Sequence, residues 1–253
     1  MIAFNALDLV LKSVWFVFSR PFLWGLLAVG ALGGAFFGLW DELVAPTFWG
    51  SEYLLVLVQS FFDIWWYLLV TTVIIADIRG EQRFVHSFFW HSLVRTASAW
   101  WLIAWITLLR WALIPLLKTP CCYNEPIDLT LFSILCVLFG LQHVLNFFIM
   151  PPLVLGEDNI LSLYGYAFIE LKKCWASLMA FFILVAGPWA IVFCLIGYLC
   201  SSIRSLTSPL FGLSQEPIVS KMLMKSLSTA FAALVVSVGR VMFYESQKSQ
   251  QKG

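Results

Sequence analysis

Six long apolar segments constrain the fold of this chain more than any other feature. A helix needs about 20 residues to cross a hydrocarbon layer about 30 Å thick. Backbone amides in lipid must be satisfied within the segment or in a closed barrel, and the alternating pattern of a barrel strand is missing from the sequence. We therefore predict an all-α integral membrane protein with six transmembrane helices. They cover about residues 22–40, 53–76, 97–117, 129–150, 175–199 and 227–243.

Composition excludes an ordinary soluble domain. Of 253 residues, 61% are hydrophobic and 11% are charged, against about 25% charged in soluble proteins. The mean hydropathy is +0.90. The formal net charge of +1 gives no reason to expect a nucleic acid as a partner, so the expected surroundings are membrane lipids.

Two stretches of the chain align at an offset of 76 residues. Residues 80–104 and 156–180 share four of 25 aligned positions, and each begins with Gly-Glu. A further shift by the same offset places the N-terminal helix over the first of these stretches. We predict one membrane domain over residues 1–244, followed by a polar, disordered cytoplasmic tail at 245–253. The predicted repeats, each an interfacial helix and two spans, are residues 4–79, 80–155 and 156–244.

Two or three amphipathic helices are predicted to lie in the membrane interface. The first covers residues 2–20 and ends at Arg20-Pro21, because the residue before a proline is pushed out of the helical region. The others follow the two Gly-Glu pairs. Glu81 and Glu157 are predicted to lie near the N-termini of these helices, where a carboxylate is favoured.

Basic residues predict the orientation. Ten Lys or Arg residues lie in the segments on the side of the termini and the Gly-Glu pairs, against four in the segments on the other side. Cytoplasmic loops carry the excess of positive charge, so both termini are predicted to be cytoplasmic. The interfacial helices then lie on the cytoplasmic face, which is the predicted surface for a protein partner.

Ionisable residues within the spans are the first candidate site. Asp63 lies in the second predicted span and Arg110 in the third. Charges at that depth are costly and are functional candidates by default. They could form a structural pair between adjacent spans, helped by Gln59, or the arginine could extend towards the interface. A role in transport or proton transfer is the alternative.

A second polar group lies in the fourth predicted span. Gln142, His143 and Asn146 are close together in sequence, and Gln142 and Asn146 are one helical turn apart. Hydrogen bonds between helices explain such residues. A polar cavity in the span interior is the alternative.

Glycines and cysteines add two further predictions. Gly30, Gly34 and Gly38 recur at four-residue spacing, which is typical of close helix packing, with a substrate groove as the alternative. Disulfides are permitted on the predicted outer side. A bridge from Cys121 or Cys122 to Cys200 would join two external loops, and free thiols are the alternative.

Catalytic and metal-binding signatures are missing from the sequence. It contains no P-loop, no Gly-x-Ser-x-Gly and no His-Glu-x-x-His. His86 and His91 are five residues apart, so a regular helix turns them about 140° from each other. No catalytic residue, metal or cofactor is predicted.

Short motifs resemble a six-span bacterial pattern. Pro151-Pro152 to Glu157, followed by a helix that ends Leu171-Lys172-Lys173, resembles the membrane domain of glycerophosphodiester phosphodiesterases and related inner-membrane proteins. Ser19-Arg20-Pro21 at the start and Gly239-Arg240 near the close are similar too. The chain departs from that pattern at Glu170–Cys174, and it carries no phosphodiesterase domain. The resemblance implies a module of the bacterial inner membrane and no such activity.

Two functional classes follow from the sequence. The first is a non-enzymatic membrane protein with a scaffold, assembly or envelope-homeostasis role. The second is a carrier or permease component for a lipid or small solute, with its polar site in the span interior. A membrane enzyme is the least supported class.

Overall fold

The structure, a computed structural model, describes residues 5–43, 51–81, 85–118, 126–157, 159–211 and 218–250. Side chains are described over the narrower ranges 5–40, 53–81, 86–113, 130–157, 159–188 and 222–249. The regular secondary structure of these residues is helical throughout, which confirms the all-α prediction for this part of the chain. The helices are α1 (Ala6–Ser19), α2 (Pro21–Leu43), α3 (Ser51–Ile78), α4 (Val85–Ser98), α5 (Trp100–Lys118), α6 (Pro126–Val154), α7 (Ile160–Phe211) and α8 (Ile218–Gln250).

Several of these helices are long and apolar enough to cross a membrane. The described residues contain four: Pro21–Trp40, Tyr53–Ile78, Thr130–Val154 and Met222–Ser249. A fifth is counted when α4 and α5, which are bent by 67° at the break between them, are taken as one span. The described residues are therefore all-helical in their regular structure and contain four or five candidate membrane spans. The predicted span over 175–199 lies in α7, and its side chains after residue 188 are outside the described part.

Local chemistry sets the boundary between α1 and α2. The side chain of Asn5 caps α1 by accepting hydrogen bonds from the amides of Leu7 and Asp8. Arg20 is extended, with φ −120° and ψ 98°, and Pro21 is the first residue of α2. A proline suits that position because the first helical amide has no partner within the helix. The predicted break at Arg20-Pro21 is confirmed.

Three predicted ends of regular structure were wrong. α6 continues past Pro151 and Pro152 to Val154. α7 continues to Phe211, although the apolar segment ends near residue 199. α8 continues to Gln250, so most of the tail predicted to be disordered is helical. The physical reason is the same for α7 and α8: polar residues end a membrane span, but they do not end a helix that leaves the hydrocarbon.

Both Gly-Glu pairs are helix C-termini. Gly80 and Gly156 have positive φ, 68° and 104°, in the left-handed region that glycine adopts at low cost. The amide of Glu81 donates to Ala76 O, and that of Glu157 donates to Pro152 O, at 2.8 and 3.1 Å. These six-residue closures are Schellman motifs.

The predicted N-terminal role of the glutamates therefore needs correction. Glu157 lies just after α6, and the cap of α7 is Asn159, whose Oδ1 accepts from the amides of Leu161 and Ser162. Glu157 Oε1 accepts from the Asn159 amide at 3.3 Å, so it supports the cap without occupying the cap position. Residues 82–84, before α4, lie outside the described part.

The internal contacts divide the chain into two units, and the single membrane domain over 1–244 stays a prediction. The first contains Met1–Pro46 and Cys174–Met242, and the second contains Thr47–Lys173 and Phe243–Gly253. In the first unit, α1 packs against α2. In the second, α3 packs against α4, α5 and α6, and α5 packs against α6. Fully buried side chains of the second unit include Ile64, Leu68, Ile74, Leu102, Phe147, Phe148 and Ile149.

The short helices expose large apolar side chains. In α1, Ser13 is fully buried while Trp15 is 75% exposed; in α4, Thr96 is fully buried while Trp90 is 60% exposed. Soluble monomers rarely expose contiguous apolar surface of this kind. Small or polar inward faces with large apolar outer faces are what lipid contact favours. The exposed stripes are Leu7, Leu11, Trp15 and Phe18 on α1, Phe89, Trp90 and Val94 on α4, and Leu161, Phe168 and Ile169 on α7.

Candidate functional site

The structure brings Asp63 and Arg110 together. Arg110, on α5, donates from Nη2 to Asp63 Oδ2 on α3 at 2.7 Å. Arg110 Nη1 also donates to Ser60 Oγ at 3.1 Å. Ser60 lies one turn before Asp63. It supports the Asp63–Arg110 pair by accepting this hydrogen bond, a role that was predicted for Gln59. Gln59 is half-buried and makes no hydrogen bond from its side chain within the described residues.

This ion pair lies well within the predicted spans. Asp63 follows Tyr53, the first residue of its candidate span, by ten residues, which corresponds to about 15 Å of helix. The side chains of Arg110 and Asp63 are 20% and 31% exposed. Pairing removes the need to place two isolated charges in hydrocarbon, so the contact joins α3 to α5 at this depth.

The second polar group forms a separate hydrogen-bonded chain. Tyr164, on α7, donates its hydroxyl proton to Gln142 Oε1 at 2.9 Å. Gln142 Nε2 then donates to Asn146 Oδ1 at 2.7 Å. Gln142 and Asn146 are both buried, at 3% and 6% exposure. The chain connects the first part of α7 to α6.

The side chain of His143 is placed differently from those of Gln142 and Asn146. It is exposed, and its ring lies edge-on to Phe139 with the ring centres 4.5 Å apart. Successive residues in a helix are rotated by about 100°, whereas residues four apart are offset by about 40°. His143 therefore lies on a different side of α6 from Gln142 and Asn146, and its part in a single polar site stays a prediction.

Tyr164 is the member of the hydrogen-bonded chain that was not predicted from the sequence. It lies on the face of its helix that is otherwise apolar, so its spacing predicts packing and not hydrogen bonding. Burial raises the pKa of the Tyr164 phenol above its ordinary value. The hydroxyl therefore stays protonated at neutral pH and remains a donor to Gln142.

An apolar groove lies beside the Tyr164–Gln142–Asn146 chain. Its volume is about 400 Å³, within the range of small-molecule sites. Trp101 and Trp105 on α5, Gln142 on α6, and Tyr164 and Phe168 on α7 contribute to its walls. The groove could hold an apolar chain next to a small number of polar groups.

Two of the three glycines predicted to pack closely, Gly34 and Gly38 on α2, lie against α8 in the first unit. A Cβ atom at Gly34 would lie 3.1 Å from Ser226 Oγ, and one at Gly38 would lie 2.9 Å from Met222 Sδ. Gly30 is half-buried. Gly34 and Gly38 therefore permit a close approach of α2 and α8, as a packing role requires.

The predicted disulfide cannot be placed. Cys121 and Cys122 lie outside the described residues, and the side chain of Cys200 does too. The bridge remains a prediction. Within the described part of the chain, no group of three or more His, Cys, Asp or Glu residues could hold a metal ion.

Comparison with known proteins finds no family model, no curated protein and no solved structure that matches the chain. The resemblance to the phosphodiesterase membrane domain therefore stays a prediction based on short motifs.

Removing the Tyr164 hydroxyl tests the hydrogen-bonded chain. Tyr164→Phe should lower the free energy of unfolding by about 1–2 kcal/mol, because it leaves the buried oxygen of Gln142 without its donor. Thermal unfolding of the purified protein in detergent measures the change. Tyr53→Phe is the matched control, since Tyr53 is 45% exposed and its hydroxyl has no partner among the described residues. Equal effects of the two substitutions would contradict the assignment.

Proposed function

We propose that the chain is a non-enzymatic, multi-pass protein of the bacterial cytoplasmic membrane with a scaffold, assembly or envelope-homeostasis role. The observation that supports this most directly is how the polar residues of the spans are used. Arg110 is bonded to Asp63 and Ser60, and Gln142 is bonded to Asn146 and Tyr164. These groups join helices to one another, which is the role expected in a structural protein.

A threefold repeat with six spans is part of the proposal. The order of a short helix followed by two longer helices occurs twice over α1–α6, and a third time when α7 is divided at Cys174. α1 and α4 each contain 14 residues. α7 changes direction at Cys174, where the backbone leaves helical geometry, so its first segment, residues 160–173, is also 14 residues long (173 − 160 + 1). The shared Schellman ends at Gly80 and Gly156 support a common origin of the second and third copies.

The proposed topology places both termini and the three short helices at the cytoplasmic face. The excess of basic residues supports this orientation. The exposed aromatic stripes suit helices that lie in the interface, in contact with lipid. A protein partner would bind the polar sides of the short helices, which lipid does not cover.

Thiol labelling tests the proposed role. Ser60→Cys and Asn146→Cys, each introduced into a chain without its six native cysteines, should resist a membrane-impermeant thiol reagent applied from either side. In a scaffold these positions stay buried, at 0% and 6% exposure. A carrier must open its central site to water on alternate sides, so side-dependent labelling of either cysteine would reject the scaffold proposal.

The labelling experiment also needs an accessible position as a reference. Glu157→Cys lies in an exposed turn and should react rapidly from the cytoplasmic side alone. Rapid reaction from the outer side would overturn the proposed orientation. It would leave the scaffold proposal unaffected, because accessibility of positions 60 and 146 is measured separately.

A carrier or permease component for a lipid or small solute is the second candidate. The groove of about 400 Å³ beside Gln142 and Tyr164 favours it, since an apolar ligand could lie there. Asp63 also retains Oδ1, which makes no hydrogen bond within the described residues. A carrier of this kind would use both features during a transport cycle.

A further inference from the structure

A polar cleft lies at one end of the second unit, and it shares no lining residue with the groove or the ion pair. Its volume is about 480 Å³. The C-terminal turn of α6, the first turns of α7 and the last turns of α8 form its walls. Glu157, Ser162, Tyr166, Tyr244 and Lys248 provide its polar lining. The cleft thus combines one acid, one base and several hydroxyl groups.

Neither charged group of the cleft has an ion-pair partner among the described residues. Lys248 makes no ion pair or hydrogen bond from its ammonium within the described residues. The neighbouring acid on α8, Glu245, is already bonded to Arg79, at 2.7 and 3.2 Å. Glu157 uses one oxygen for a long contact with the Asn159 amide and has no cationic partner in the described part of the chain. Within the described part of the chain, the second carboxylate oxygen of Glu157 and the Lys248 ammonium are therefore open to a ligand.

The depth of the cleft follows from the ends of the apolar segments. The candidate span of α6 ends at Val154, three residues before Glu157. On α8 the candidate span extends to Ser249, but every residue from Glu245 to Gln250 is polar. Lys248 lies five residues after Phe243, or about 7.5 Å along the helix. Tyr166 and Tyr244 are residues of the type that is enriched at membrane–water interfaces. The cleft is therefore at the level of lipid headgroups.

We propose that this cleft binds the headgroup of a zwitterionic aminophospholipid. Lys248, with the hydroxyls of Ser162 and Tyr244, would hold the phosphate, and the Glu157 carboxylate would hold the primary ammonium. Lys248 and Glu157 offer one charge of each sign, which matches a headgroup with an anion and a cation. The Arg95 guanidinium borders the cleft as a second cation, since its Nη2 would lie 3.0 Å from a Cβ atom at Gly156. The apolar wall residues Pro152, Leu155 and Leu163 continue towards the span, where the acyl chains would lie. This inference rests on the membrane location alone, and either proposed function is compatible with it.

Lipid titration of the full-length protein tests the site. The protein in detergent is titrated with phosphatidylethanolamine or phosphatidylglycerol of matched acyl chains, and bound lipid is counted by native mass spectrometry. Phosphatidylethanolamine should bind about tenfold more tightly, because the ammonium gains a charge-assisted hydrogen bond. Glu157→Gln should abolish that preference. Lys248→Gln should weaken both lipids by about tenfold, since both carry the phosphate.

Two matched variants control for general effects. Glu81→Gln removes the equivalent glutamate after α3, and Lys225→Gln removes an exposed lysine of α8; neither lines the cleft, so both should bind like the unmodified chain. Gel filtration of every variant checks that it folds. Equal binding of the two lipids by the unmodified protein would overturn the proposal, as would a preference that survives in Glu157→Gln. Full competition by equimolar free phosphoethanolamine would also overturn it, because the ligand would then be a soluble phosphate ester.

Discussion

Replacing Asp63 with asparagine should lower the free energy of unfolding by about 2–3 kcal/mol. The substitution leaves the Arg110 guanidinium within the span without its counter-charge, and removal of one partner from a buried pair costs about 3–5 kcal/mol. The partial exposure of the two side chains, 31% and 20%, reduces that figure. Arg110→Gln should cost less, because a neutral glutamine can still donate to the oxygens that the arginine served.

A double-mutant cycle distinguishes pairing from a general effect of each position. Unfolding in mixed micelles is measured for Asp63→Asn, Arg110→Gln and the double variant, which should be more stable than the two single costs predict. The reversed pair, Asp63→Arg with Arg110→Asp, should recover part of the loss. Asp8→Asn is the control, because the Asp8–Lys12 pair is 53% and 64% exposed and should contribute less than about 1 kcal/mol. Additive costs at positions 63 and 110 would show that the contact is not stabilising.

Gly239→Leu should lower the free energy of unfolding about as much as Asp63→Asn does. Here the cause is steric overlap in a packed contact and not the loss of a charge pair. A Cβ atom at Gly239 would lie 2.5 Å from Phe181 Cζ and 3.2 Å from Ser13 Oγ. Phe181 and Ser13 are both fully buried, so neither side chain has space to move. Overpacking of this kind costs about 1–3 kcal/mol, and leucine brings three further carbon atoms into the same contact. The melting temperature of the purified protein should fall by several degrees.

A second glycine provides the matched comparison. Gly140 lies within α6 and is exposed, and a Cβ atom at this position would meet no neighbouring side chain of the described residues within 4 Å. Gly140→Ala should leave stability unchanged or raise it by up to about 1 kcal/mol, because alanine is the better helix former. Gly239→Ala should instead lower stability, since the contact with the Phe181 ring outweighs that gain. Equal melting temperatures for the two alanine variants would contradict close packing at Gly239.

Much of the architecture could be predicted because lipid leaves few choices. Apolar length indicated the long apolar helices that the described residues contain, and amphipathic spacing indicated the short ones. The conformational restriction before proline located the end of α1 at Arg20. The ends of α6, α7 and α8 were missed because hydropathy reports where a segment lies, not whether its backbone is helical. The Gly-Glu pairs were assigned to helix N-termini because a glutamate is favourable there. The glycines are the residues that determine the structure, since the positive φ of Gly80 and Gly156 places them at helix C-termini.

Prediction of the candidate site from the sequence was limited for a different reason. Ser60 and His143 could have been assigned from helix geometry, since one lies a turn from Asp63 and the other points away from Gln142. Tyr164 could not, because its hydrogen bond depends on how α7 packs against α6, and spacing within α7 contains no information on that contact. The same is true of the cleft at Glu157 and Lys248. These residues are about 90 positions apart in sequence (248 − 157 = 91) and are brought together by the fold.

The exposed stripes of the short helices have a mechanical consequence. A helix that inserts leucine, phenylalanine and tryptophan side chains from one surface takes up area in that leaflet and none in the opposite leaflet. Its insertion energy then depends on lateral pressure and on curvature, as for other amphipathic helices. Because α1 leads directly into α2, and α4 into α5, a change in bilayer stress would act on the ends of these longer helices. If the short helices lie in the interface as proposed, the tension of the surrounding lipid would act through them on the packing of the chain.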